Sequence, residues 1–97
     1  MNAGEMANID AAIGHTKAAI TAAHAFFRGA RADAEVLPGD MDNAALAQLF
    51  VAEDRGLFDQ AETILARSRT RLRTLRRIRA TGLLMIYDLI LLGDGET

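Results

Sequence analysis

The sequence predicts an all-α protein, a helical hairpin or small helix bundle with a short apolar C-terminal helix. Three observations predict it. The apolar half of the composition is largely alanine and leucine, with one proline, Pro38, and such side chains lose little freedom in a helix. Apolar residues recur at alternating spacings of three and four through both halves of the chain, which is the period of one helix face. No two segments read as strands that could pair with each other. At 97 residues the chain is long enough for one domain with a modest core and too short for two.

The first helix is expected over residues 4–31. Met6, Ile9, Ile13, Thr16, Ile20, Ala23, Phe27 and Ala30 keep the three-four spacing without a break, so they share one seam. Asp10, Lys17, Thr21, His24 and Arg28 form a narrow polar stripe beside it, and alanines cover most of the remaining circumference. Small residues on several sides let more than one neighbour approach closely. Residues 32–41 read as a loop, with Pro38-Gly39 as its turn signal. Asp40 or Asp42 is placed to cap the helix that follows, accepting from its free amides.

A helix or a broken helix pair is expected over residues 42–80. Leu46, Leu49, Phe50 and Leu57 share a face, and Gly56 either ends a first segment or is tolerated within it at about 1 kcal/mol. Beyond it Leu57, Ala61, Ile64, Ser68, Leu72, Leu75 and Arg79 again step by three and four. Gly82 suits a helix C-cap, and arginines in the last turn suit the negative end of the helix dipole. Residues 83–92, LLMIYDLILL, hold nine apolar residues interrupted only by Asp88. A helix with no polar face is buried all round, and a strand of this composition would pair only with another chain. The helical form is the expectation.

Charge is partitioned sharply. Residues 1–66 carry four cations against ten anions, residues 67–82 carry seven cations and no anion, and residues 83–97 carry three anions. The cations of the middle block are Arg67, Arg69, Arg71, Arg73, Arg76, Arg77 and Arg79. Like-charge pairs at i,i+3 and i,i+4 repel by roughly 0.2–0.5 kcal/mol each, together about 1–2 kcal/mol. Counter-charge is therefore expected from an acidic partner protein, from nucleic-acid phosphates, or from carboxylates such as those from Asp33 to Asp42, Asp59 and Glu62, in the same chain or in a second subunit. Arg79 has the phase of the apolar seam, and Asp88 lies within the apolar segment, so an Arg79–Asp88 ion pair, buried across the Gly82 break, is a further expectation.

The sequence offers no chemistry of its own. There is no cysteine and only one serine, Ser68. His15 and His24 project in nearly opposite directions from the first helix and cannot share a metal. No phosphate-binding glycine loop and no helix-borne metal motif is present. No catalytic residue, metal, cofactor or small-molecule substrate is expected. The apolar run is about half of the ~20 residues a membrane-spanning helix needs, and the N-terminus has no basic signal region, so a cytoplasmic location is expected. With so little chain to surround it, the apolar segment is best buried by self-association, through Leu83, Leu84, Ile86, Leu89 and Ile90. The function expected is a non-catalytic, self-associating interaction protein, an assembly component or small inhibitor such as phage and bacterial accessory proteins, with the arginine helix as partner contact. The alternative is a nucleic-acid-binding protein that contacts phosphates through residues 67–79.

Overall fold

The first helix begins where a side chain can satisfy its free amides. In the computed structural model, which describes residues 2–83, Asn2 accepts a 2.8 Å hydrogen bond from the Glu5 amide and opens α1, Ala3–Asp33. The helix closes on a Schellman turn: the Val36 amide reaches the Arg31 carbonyl at 2.9 Å and the Glu35 amide reaches that of Ala32 at 3.2 Å. The left-handed position is held by Glu35, at φ 57°, where glycine is the usual occupant. Leu37 to Asp40 then form a β-turn closed by a 3.2 Å bond from the Asp40 amide to the Leu37 carbonyl, with Gly39 at φ 89°. Proline at the second position and a positive φ at the third define a type II turn.

Asp42 caps the short α2, Asn43–Ala47, accepting from the Ala45 amide at 2.8 Å. The chain does not run on from there as one helix. Amides of Gln48, Leu49 and Phe50 turn back to carbonyls three residues earlier, a tightened end that breaks the path before Val51. The long α3, Ala52–Thr81, follows, and Gly56 sits inside it. Gly82, at φ 69°, ends α3 and donates to the Ile78 carbonyl at 2.7 Å. The described residues are thus an all-α hairpin in which α1 and α3 pack against each other and α2 closes one end. Its longest dimension, 49 Å, matches the ~46 Å of a 31-residue helix, so the length of the molecule is the length of one arm.

The two arms are riveted at the closed end by aromatic packing. Phe58 of α3 meets Phe26 at 5.1 Å, Phe27 at 6.1 Å and Phe50 at 5.0 Å between ring centroids. These are all four phenylalanines of the chain. Leu46, Ala47, Ala30 and Ala61 complete the cluster, and Leu65, Leu75 and Ile78 continue the buried line toward the open end. Thr16 and Thr74 are buried too, each satisfied by the carbonyl four residues earlier in its own helix.

The seam expected on α1 is seen in full: each of its eight residues is buried or half-buried, and the stripe from Asp10 to Arg28 is exposed. On α3 the expected seam holds in part, with Ala61 and Leu75 buried and Ser68 and Leu72 half-buried, and is displaced at three positions. Leu57 and Ile64 are 50% and 48% exposed, while Phe58, Leu65 and Ile78, each one residue away from an expected position, are buried. The sequence offers two parallel apolar lines here, and the one that brings Phe58 onto Phe26, Phe27 and Phe50 buries the larger side chain. Arg79 falls off the buried line for the same reason and lies at the surface, its side chain 47% exposed. Asp88, and with it Leu84, Ile86, Leu89 and Ile90 of the expected oligomer interface, lies outside the described residues. Leu83 is 65% exposed.

Candidate binding faces

The antiparallel pairing of α1 and α3 gives the hairpin two sides of different chemistry. At the open end the Arg79 Nε donates to Asp10 Oδ1 at 2.7 Å. Near the closed end His24, Arg28 and Arg31 of α1 line a recess of about 420 Å³ together with Glu62 and Arg69 of α3. Asp10, Lys17, His24 and Arg28 share one stripe of α1, because sevens and fours return to nearly the same angle on a helix. The polar stripe of α1 therefore lies alongside one edge of the arginine block, over the ~32 Å that separate Asp10 from Arg31 along the axis.

The arginines do not act as one patch. Arg69 and Arg79 face the α1 stripe, and Arg76, seven residues beyond Arg69, shares its phase. Arg71 lies on the other side of the hairpin, beside His15 and Ser68. Arg73 is exposed and donates only a long 3.5 Å bond to the Thr70 hydroxyl. Arg67, Arg71 and Arg77 each have interactions of their own. Arg28, Arg69 and Arg76 take part in no ion pair among the described residues.

Within the basic recess one guanidinium is fixed and the others are not. Arg31 Nη2 donates to the Met41 carbonyl at 3.1 Å and to Asn43 Oδ1 at 2.9 Å. Asn43 Nδ2 in turn donates to Glu62 Oε1 at 2.6 Å. This chain ties the loop, α2 and α3 to the end of α1, and it occupies the only carboxylate that lines the recess. The Arg31 Nε is buried and has no acceptor among the described residues. Phe27 and Leu65 form an apolar floor.

Part of the opposite side is apolar. Ala19, Ala22 and Phe26 of α1 and Leu57, Ala61 and Ile64 of α3 line a groove of about 400 Å³. The alanines keep it shallow on the α1 side, and the displaced seam of α3 leaves Leu57 and Ile64 half out of the core. A second apolar hollow around Phe26, Phe50 and Leu57 adjoins it at the closed end.

Of the residues singled out from sequence, the structure brings Arg69 into a site and Arg79 into an ion pair, and it separates Arg71 from both. His24, Arg28 and Arg31 were legible only as parts of a solvent stripe or a helix end. Their partnership with Arg69 depends on how α3 pairs with α1, and neither helix alone carries that information. Among the described residues no group of histidines and carboxylates could hold a metal ion, and no helix is long and apolar enough to cross a membrane. No protein-family model matches the chain, and no curated protein or solved structure is significantly similar to it.

Proposed function

We propose that the protein is a non-catalytic, self-associating helical interaction protein, an assembly component or small inhibitor that works in the cytoplasm. The observation that carries this reading is the apolar groove along the α1–α3 junction. Two large aliphatic side chains, Leu57 and Ile64, stand about half exposed there beside a row of alanines. Burying apolar surface is worth roughly 25 cal/mol per Å², and small residues let helices approach closely. Two hairpins joined in this way form a four-helix bundle. Residues 83–92, nine of ten apolar, add to that interface, and the arginine-bearing side is left outward for a partner with an acidic surface.

The test is light-scattering size exclusion in low and high salt. A dimer or larger oligomer that survives high salt, and that Ile64→Glu or Leu89→Glu converts to a helical monomer, supports the reading. A monomer at all concentrations, or an oligomer indifferent to both substitutions, overturns it. A second reading, nucleic-acid binding, is favoured by one observation: cations from both helices converge at Arg28, Arg31 and Arg69. It requires co-purifying material with a high 260/280 absorbance ratio that is lost as salt rises.

A further inference from the structure

We propose that the recess formed by His24, Arg28, Arg31 and Arg69 is a binding site for a phosphate group. It lies on the side of the hairpin away from the apolar groove, so the inference does not rest on self-association.

Three guanidinium groups and an imidazole surround this space against one carboxylate, Glu62. That carboxylate is engaged by Asn43 Nδ2 at 2.6 Å. Asn43 also accepts from Arg31 at 2.9 Å, so the amide stands between the two charges and holds each in place. Arg31 is further fixed by the Met41 carbonyl. The recess thus has one oriented cation at its end and two, Arg28 and Arg69, that have no ion-pair partner among the described residues. A guanidinium fork placed beside a second and third fork suits an acceptor with several oxygens pointing different ways, which a phosphate group supplies and a single carboxylate does not. The floor of Phe27 and Leu65 lowers the local dielectric and strengthens each of these attractions. At about 420 Å³ the space has room for a phosphate group.

Such a phosphate comes from a small phosphorylated molecule or from a nucleic-acid strand, and the recess recognises the same chemistry in both. The experiment is a titration of the full-length, isotopically labelled protein with pyrophosphate, and separately with a short single-stranded oligonucleotide, at constant ionic strength. Amide and arginine side-chain resonances are followed by NMR. Saturable shifts confined to His24, Arg28, Arg31, Asn43 and Arg69 are expected with pyrophosphate. Arg28→Gln combined with Arg69→Gln should weaken binding by at least tenfold, whereas Arg73→Gln should leave it unchanged. Glu62→Gln keeps the oxygen that Asn43 needs and removes a negative charge, so it should tighten binding on the order of threefold. If the oligonucleotide binds more than tenfold tighter than pyrophosphate and extends the shifts to Arg76, the phosphate is supplied by nucleic acid; equal affinity assigns it to a small molecule. Shifts spread over all arginines without saturation, or binding indifferent to the paired Arg28 and Arg69 substitutions in a protein of unchanged helicity, would overturn the site. Light scattering on the same samples reports the oligomer separately, so loss of one property is not mistaken for loss of the other.

Discussion

The displaced seam of α3 makes a direct energetic prediction about two adjacent residues. Phe58 is 3% exposed and Leu57 is 50% exposed, so Phe58→Leu and Leu57→Ala test which of two parallel apolar lines faces α1. Replacing Phe58 by leucine keeps most of the apolar area but loses three aromatic contacts, to Phe26, Phe27 and Phe50. At roughly 0.5–1.5 kcal/mol per contact, with partial compensation by the leucine, the expected loss is about 2 kcal/mol. Leucine-to-alanine truncation costs about 2–5 kcal/mol in a closed core. Leu57 is half in solvent and leaves no sealed cavity, which brings its expected cost to about 1 kcal/mol. Urea unfolding followed by far-ultraviolet circular dichroism measures both, the midpoint moving while the slope stays constant. The measurement is made at two protein concentrations, because an oligomer adds a concentration-dependent share of stability. If Leu57→Ala costs more than Phe58→Leu at both concentrations, α3 is rotated toward the Leu57, Ile64 line, and the apolar groove described above ceases to exist.

Four further substitutions test three local features. Glu35→Gly relieves a left-handed residue with a Cβ at the end of α1 and should raise stability by about 1 kcal/mol in the same urea assay; a loss would mean that Glu35 does something there besides turn the chain. Gly56→Ala places a methyl group where nothing lies within 4 Å in the interior of α3, and should add about 1 kcal/mol. A neutral or negative result would locate a helix break at that glycine. The Asp10–Arg79 pair, with side chains 55% and 47% exposed, should show a coupling of about 0.2–1 kcal/mol in a double-mutant cycle of Asp10→Asn and Arg79→Gln. That coupling should shrink as salt is added, and a salt-insensitive value would place the pair out of solvent.

How much of this could be read from the sequence depends on whether one helix sufficed. The buried face of α1 could, because Met6 to Ala30 is a single unbroken line with alanines on either side. The Pro38-Gly39 turn, the Asp42 cap and the Gly82 terminus could as well, since each is a local conformational preference of the residue that performs it. The buried face of α3 could only in part, through Ala61 and Leu75, which are buried as expected. Leu57, Ile64 and Phe58, Leu65 are equally good helical lines, and the choice between them is made by Phe26 and Phe27 on the opposite arm and by Phe50 before α3. The break at residues 48–51 escaped for a related reason: Leu49 is 56% exposed, so its apolar character does not report the fold. The basic recess is invisible until the arms are paired, because it joins His24, Arg28 and Arg31 of α1 to Arg69 of α3.

That pairing also bears on why the arginine block is there. Seven arginines in thirteen helical positions repel one another by about 1–2 kcal/mol in sum, a sizeable fraction of what holds a small domain together. A purely structural remedy would set acidic residues of α1 opposite them. The polar stripe of α1 instead presents Lys17, His24 and Arg28 along that side, with Asp10 as the carboxylate that meets an arginine. Six of the ten anions of residues 1–66 lie at the end of α1, in the loop or on the far arm's first turn, at Asp33, Glu35, Asp40, Asp42, Glu53 and Asp54, toward the closed end. The pairing therefore sets Arg69 beside His24, Arg28 and Arg31 of α1 and not opposite a carboxylate of α1. Sequence changes that would relieve the repulsion are simple, since glutamine or glutamate at an exposed helix position sustains a helix about as well as arginine does. Arg28 of α1 and Arg69 and Arg76 of α3 have no ion-pair partner among the described residues, and these are the positions where an anionic partner would gain most by binding.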